Sequence, residues 1–238
     1  MSASQLYIHV IADSSGETAA RLTRAAQAQF PDAIFTVVRY PRVKDTNALL
    51  GVFDQITQAR AVCHVGNREI LTVNAALGDR PLEHRGQWEQ MPDVPGPKKG
   101  VERKHTRPTD GTIHDRLQQR MVKGRPFETI DGTQGDGQVL MWARLPDVLE
   151  DVDATALAVL GDFVPMGVGQ ALGVRGGGNS LDNTLRVVHL VPTEWVLLDI
   201  RVHAVERGFG HGLVHMFAED GTLLATASQS CIVRYWKG

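Results

Sequence analysis

Three polar side chains occupy positions where the surrounding pattern predicts apolar ones. Asp162 interrupts the apolar stretch LAVLGDFVPMGVG, and Ser180 follows a glycine-rich turn predicted at Gly176–Asn179. Gln229 has the strand parity of five apolar residues, so its amide points to the apolar face: Leu223, Ala225, Ala227, Cys231 and Val233. A carboxylate can accept a proton, and hydroxyl and amide groups can form orienting hydrogen bonds. These three residues are therefore the leading candidates for catalysis.

Each candidate also has a purely structural explanation. Asp162 could cap a helix that begins at Phe163, with Pro165 tolerated in its first turn. Gln229 could bond to a neighbouring loop, and a serine beside glycines, such as Ser180, is most often a turn residue. Spacing alone leaves both explanations open.

Other catalytic patterns are incomplete or absent from the sequence. His203, His211 and His215 lie on consecutive predicted strands, but no Cys, Asp or Glu completes a metal site at suitable spacing. GVRGGGNS lacks the Lys-Ser or Lys-Thr pair of a phosphate-binding loop, and GxSxG, the serine hydrolase motif, does not occur. We therefore expect neither a metal nor another cofactor.

Composition indicates an ordinary globular protein that does not bind nucleic acid. The 238 residues are 42% hydrophobic and 22% charged, and the formal net charge of -2 gives no basic footprint. With two cysteines and no apolar signal core near the N-terminus, we expect a cytoplasmic location. The most apolar stretch, 154–174, contains Asp162, Pro165 and four glycines, which favours a buried helix over a membrane span.

Residues 1–58 have the pattern of a small βαβα segment. Predicted strands at 6–12 and 33–40 are separated by a helix at 17–30, and a second helix follows at 46–56. Because a helix crosses between the two strands, we expect them to pair in parallel.

Residues 59–125 predict a hairpin followed by a long connection. Two strands, 60–64 and 70–77, flank a Gly-Asn turn. The segment 78–125 is rich in Pro, Gly and charge, including the basic run 98–107, and predicts a surface connection with at most one short helix at 113–121.

Residues 126–238 predict an antiparallel sheet wrapped on one long helix, an α+β arrangement of the hotdog type. Strands at 127–131 and 138–145 precede the apolar helix. Three extended segments then follow, with a hairpin turn at Glu219-Asp220-Gly221: 182–191, 195–207 and 211–234.

Motifs spread over residues 59–238 are ILTVNAALGDR, GQWEQMPDVPGP, GQVLMWARL, LGDFVP and SLDNTLRVVHLVPTEWVLLD. Together they resemble the bacterial acyl-CoA thioesterase II family, which implies a double hotdog whose first unit is incomplete here. The resemblance implies that Asp162, Ser180 and Gln229 hold a hydrolytic water. An acyl-CoA would then be the substrate, with its acyl chain against Phe163, Val164 and Met166.

The N-terminal motifs YIHVIADSSGETAARLTRAAQAQF and VVRYPRVKDTNALLGVFDQI belong to a different likeness. They resemble the start of the pyruvate, phosphate dikinase regulatory proteins, which are kinase and pyrophosphorylase enzymes. The phosphate-binding loop of that family has no counterpart in this sequence. The alternative to a thioesterase is therefore a regulatory or interaction protein, in which the N-terminal segment binds a partner and the hotdog half is a scaffold.

A single hotdog unit leaves strand edges and apolar surface uncovered, which predicts self-association. We expect a homo-oligomer, with a dimer as the minimum. Analytical ultracentrifugation at micromolar concentration measures this directly, and a stable monomer would contradict it.

Overall fold

The computed structural model describes residues 5–11, 34–45, 48, 58–66, 68–78, 83–103, 112–146 and 152–236. The chain divides into two units, 1–84 and 85–238. Both contain β-sheet, and only the second contains the candidate catalytic residues.

Two strand pairs form the described part of the first unit. Strands β1 (Gln5–Ile11) and β2 (Ile34–Tyr40) pair in parallel over their whole length, which confirms the predicted parallel pairing. Strands β3 (Gln58–Val65) and β4 (Arg68–Ala76) form the predicted antiparallel hairpin. The predicted helices at 17–30 and 46–56 lie outside the described residues, apart from residue 48.

An eight-stranded antiparallel sheet dominates the second unit, in the order β5-β6-β7-β10-β11-β12-β8. Its strands are β5 (Val101–Glu102), β6 (Gln118–Lys123), β7 (Gln138–Arg144), β8 (Gly176–Ser180), β9 (Thr184–Val187), β10 (Val196–Glu206), β11 (Phe209–Ala218) and β12 (Leu223–Tyr235). The short strands β8 and β9 both pair with β12, so they share its outer edge one after the other.

The apolar stretch forms a helix in two segments, α1 (Ala154–Leu160) and α2 (Val164–Leu172). Asp153 begins α1 by accepting a hydrogen bond from the Ala156 N–H at 2.8 Å. Ala154–Leu172 is long and apolar enough to cross a membrane, but 56% of its apolar window is buried in the fold. Its inward side packs on the concave face of the sheet, as in the predicted hotdog arrangement.

Two apolar clusters lie on opposite faces of the sheet. The larger one contains the inward side of the helix and the concave face, with Leu157, Met141 and Val214 among its members. The smaller one, on the outer face, includes Trp142 and Phe217.

Residues 87–95, here called the strap, run across this outer cluster. Met91 and Val94 pack against it, and the Trp142 indole N–H donates to the Pro95 carbonyl at 2.9 Å. The Gln87 amide donates to the Gly221 carbonyl at 3.0 Å and accepts from the Leu223 N–H at 2.8 Å. The strap therefore ties the start of the second unit to its last hairpin.

Three predicted elements were wrong. The segment 113–121 contains one 3₁₀ turn, Ile113–Asp115, and then enters strand β6. The polar Gln119 occupies an inward position of β6, so the sequence lacks the apolar-polar alternation that would predict a strand. Residues 127–129 form a 3₁₀ turn rather than a strand. The glycines at 176–178 belong to strand β8 rather than to a turn.

Glycines allow the helix to approach β8 closely. A Cβ atom at Gly169, in α2, would overlap the carbonyl oxygen of Gly176. The backbones of α2 and β8 therefore meet without an intervening side chain.

We expect Gly169→Ala to destabilise the protein by about 1–2 kcal/mol, because overpacking against backbone outweighs the gain in helix propensity. Gly96→Ala is the control, since a Cβ there meets nothing within 4 Å. Urea unfolding measures both variants. If Gly169→Ala were as stable as wild type, or more so, the close approach would not be a packing constraint.

Candidate active site

Asp162 lies in the turn between α1 and α2 and is exposed in this chain. Its backbone N–H donates to the Val159 carbonyl at 3.3 Å, which continues the end of α1. The capping alternative does not describe it, because Phe163 is the residue that precedes α2 and Asp162 makes a different set of bonds. The turn directs its carboxylate toward strands β8 and β12.

Gln229 lies on the inward face of β12 with 1% of its surface exposed, as its strand parity predicts. It pairs with Gly212 of β11. On the other side, β8 ends opposite Cys231 and β9 begins opposite Ser228. Gln229 therefore lies at the break between β8 and β9, the two short strands that pair with the outer edge of β12.

Ser180 is the last residue of β8, directly beside this break. The following residues keep the chain against β12, because the Leu181 N–H donates to the Ser230 carbonyl at 2.9 Å. Asp182 accepts a hydrogen bond from the Ser230 N–H at 2.6 Å. These bonds fix the position of the Ser180 side chain.

The three predicted residues form a closed ring of hydrogen bonds. The Ser180 hydroxyl donates to Asp162 Oδ1 at 2.9 Å. The Gln229 Nε2 donates to Ser180 Oγ at 2.9 Å and also to Asp162 Oδ1. Both acceptors require the nitrogen of the amide to face the ring, so the orientation of Gln229 is determined.

A cavity of about 760 Å³ opens beside the ring. Asp162, Ser180, Phe163 and Met166 line it, whereas Gln229 is not a lining residue. Val164, predicted to contact an acyl chain, is fully buried in the core and does not line this cavity.

Sequence reasoning missed several residues that line the cavity. Phe127 and Trp236 line it, with their rings tilted against each other at 5.6 Å between centroids. Arg103 also lines the cavity, although the sequence placed it in a solvated basic run. No motif distinguished these residues, because their positions depend on contacts between distant segments.

The histidines form no metal site within the described part of the chain, where no cluster of three or more His, Cys, Asp or Glu residues could hold an ion. The His203 and His211 rings pack edge to face, with 5.5 Å between their centroids. Burial lowers the pKa of His215, although the nearby Glu89 opposes this shift. His215 is therefore neutral at neutral pH.

Cys231 lies behind the ring on the same face of β12 as Gln229, and it is fully buried with its thiol free. Its sulfur fills the space left by Gly178, where a Cβ would come within 2.6 Å. Burial raises the pKa of the Cys231 thiol, and the charge of Asp162 adds to this effect. The thiol is therefore protonated at neutral pH and is a poor nucleophile.

Sequence and structure comparisons identify relatives of the second unit. A family model for the acyl-CoA thioesterase C-terminal domain matches residues 88–233. A solved structure named as a thioesterase, from Novosphingobium aromaticivorans, is 31% identical with a TM-score of 0.63, covering 76% of this chain and 67% of that one.

Two other solved structures share the fold at lower identity. A hotdog-fold protein from Alicyclobacillus acidocaldarius is 21% identical with a TM-score of 0.62, covering 73% of this chain and 66% of that one. A thioesterase II from Thermobifida fusca is 17% identical with a TM-score of 0.59, covering 74% and 68%. The hotdog fold predicted from the sequence is thereby confirmed.

The first unit has different relatives. A kinase/pyrophosphorylase family model matches residues 8–73. A pyruvate, phosphate dikinase regulatory protein of Cutibacterium acnes is 42% identical over 59 residues, which are 25% of this chain and 20% of that protein. A second such protein, from Enterococcus faecalis, is 42% identical over 80 residues, covering 32% and 29%.

Both resemblances found in the sequence are thereby confirmed. The match to the dikinase regulators spans less than a third of either relative's length. The junction between the two family matches lies between residues 73 and 88, so β3 and most of β4 fall within the N-terminal match.

We expect Cys231 to react with iodoacetamide at least about tenfold more slowly in the folded protein than in urea at neutral pH, because it is buried and protonated. A Cys63→Ser background leaves Cys231 as the reporting thiol, and mass spectrometry measures the modification. Equal rates in the two states would show that the thiol is accessible.

Proposed function

Because residues 88–233 make this chain a member of the acyl-CoA thioesterase C-terminal domain family, we propose that it hydrolyses acyl-CoA thioesters to free acid and CoA. One observation carries the proposal. Asp162, Ser180 and Gln229 converge in a closed hydrogen-bonded ring, and the first two line a cavity large enough for a substrate.

Asp162 would act as the general base. The described residues donate their hydrogen bonds to its Oδ1 oxygen, which leaves Oδ2 to accept a hydrogen bond from water. The carboxylate takes a proton from that water while the water oxygen attacks the thioester carbonyl carbon. When the carbon–sulfur bond breaks, the proton passes to the departing sulfur of CoA, so the carboxylate is regenerated.

Ser180 and Gln229 would hold the base and its water in position. Gln229 donates to both other members of the ring, and Ser180 relays the contact to Asp162. A carboxylate whose Oδ1 accepts two hydrogen bonds loses little conformational freedom when the water binds. In this scheme neither residue forms a covalent bond to the substrate.

The start of α2 would stabilise the negative charge that develops on the carbonyl oxygen. The first hydrogen bonds within α2 run from the Met166 and Gly167 N–H groups to the Phe163 carbonyl, at 3.2 and 3.3 Å. Earlier N–H groups in a helix have no acceptor within it, and the helix dipole favours a negative charge at that end. Asp162 immediately precedes this end, so the base and the oxyanion donors would act on one carbonyl.

The acyl chain would lie against apolar side chains of the cavity. Phe163 and Met166 lie one and four residues after Asp162 and line the cavity, as does Phe127. Their burial of a hydrocarbon chain contributes about 0.8 kcal/mol for each methylene removed from water.

We expect Asp162→Asn to lower the rate of thioester hydrolysis by about 10²- to 10⁴-fold, because the amide cannot accept the proton of water. Release of free CoA thiol from a series of acyl-CoA esters measures the rate. The thermal unfolding midpoint should change less, because an amide can still accept the hydrogen bonds of the ring.

Asp182→Asn is the matched control. Asp182 is also exposed and near the ring, but it accepts a backbone N–H through an oxygen that Asn retains, and it does not line the cavity. This variant should hydrolyse at close to the wild-type rate. Unchanged turnover in Asp162→Asn would exclude the general-base role.

A further inference from the structure

Arg103 brings a positive charge into the wall of the same cavity. Its Nη1 donates to the Gln119 side-chain oxygen at 2.7 Å, and its backbone N–H donates to the Gln119 carbonyl at 3.1 Å. Among the described residues no carboxylate pairs with this guanidinium. Burial lowers the pKa of Arg103, and no acidic neighbour offsets that effect.

Gln119, the hydrogen-bond partner of Arg103, is a buried residue with a free donor group. It is 3% exposed, on the inward face of β6, and two positions along that face Met121 lines the cavity. Because arginine can only donate, the oxygen of Gln119 must face Arg103, and Nε2 points away from it. That Nε2 is buried and has no hydrogen-bond partner among the described residues.

Two other charged groups of the cavity wall, Glu102 and Arg125, have partners elsewhere. Glu102, the neighbour of Arg103 in the chain, pairs with Arg120 at 3.6 Å. Arg125, also in the cavity wall, pairs with Asp131 at 3.2 Å and donates to the Gln170 carbonyl at 3.1 Å. Arg103 is therefore the guanidinium in this wall, within the described ranges, that lacks an acidic partner.

We infer that the acyl group of the substrate carries a carboxylate, which Arg103 binds while Gln119 holds the guanidinium in place. This inference rests on the proposed thioester hydrolysis at Asp162. We place the substrate thioester at the ring of Asp162, Ser180 and Gln229. The far end of an acyl chain that fills the cavity then lies at Arg103. A carboxylate can accept two parallel hydrogen bonds from the guanidinium fork, whereas an alkyl end would leave the cation without an anionic partner.

The phosphates of CoA are the other anionic groups that such a substrate carries. Arg103 is anchored on Gln119, which faces the core, whereas strongly hydrated phosphates are favoured in contact with solvent. The position of the anchor therefore favours the acyl end. The two sources of negative charge also predict different kinetics.

The test compares adipyl-CoA with hexanoyl-CoA, whose acyl chains have equal length and differ in a terminal carboxylate. We expect the wild-type chain to hydrolyse adipyl-CoA with a kcat/KM at least about tenfold higher, the size expected for a charge-assisted hydrogen bond. This comparison requires no variant and therefore does not depend on whether a substitution folds.

Arg103→Met should lower kcat/KM for adipyl-CoA by about 10- to 100-fold more than kcat/KM for hexanoyl-CoA. Arg116→Met is the matched control, because it removes the same charge from an exposed residue that does not line the cavity. Gln119→Leu should reduce the preference for adipyl-CoA through KM rather than kcat, since Gln119 positions Arg103 without touching the reacting atoms.

Three results would overturn the inference. Equal or faster hydrolysis of hexanoyl-CoA by wild type would do so while leaving the proposed function intact. An equal loss on both substrates in Arg103→Met would assign the arginine to the phosphates that both share. Failure to hydrolyse either substrate, or the other acyl-CoA esters of the series, would reject the thioesterase function and this inference with it.

Discussion

The hydrogen-bonded ring of Asp162, Ser180 and Gln229 is the constraint on which the arrangement of the second unit depends. Its members come from a turn in the helix, from the end of β8 and from the middle of β12. The buried Nε2 group of Gln229 needs acceptors, and burying a polar group without a partner costs about 1–3 kcal/mol. The helix must therefore stay close to the sheet edge, and the glycines at the contact between α2 and β8 permit that approach.

The break in the edge of β12 places the ring beside the cavity. In a continuous partner strand, Ser180 would not be the last residue of its strand. Because β8 stops opposite Cys231 and β9 starts opposite Ser228, the ring lies at a gap in the sheet rather than beneath it. Cys231, which pairs with Ser180, is fully buried in close contact with Gly178.

The sequence predicted the residues of the ring better than the elements that carry them. Asp162 and Gln229 interrupt clear apolar patterns, so their types alone identified them. Strand β8 was not predicted, because its glycines have no strand pattern in the sequence. Their role is close packing against Cys231 and the helix, which only the folded structure shows. Gln119 concealed β6 in the same way, and Arg103 looked like part of a solvated run until its contact with Gln119 was visible. The parallel pairing of β1 with β2 was predictable because the sequence between them has the pattern of a helix, and a helical crossover joins parallel strands.

The contacts of the strap with the last hairpin can form only after the end of the second unit has been synthesised. Gln87 bonds to Gly221 across 134 residues of sequence, so the strap leaves the ribosome long before its final partner exists. Contacts of such separation form late, because their loop must be closed before they contribute any stability. Until the last hairpin arrives, Trp142 and the rest of the outer cluster have no complete cover. The nascent chain therefore passes through a stage with an apolar sheet face open to solvent, which is the stage at which chaperone binding or misassociation competes with folding.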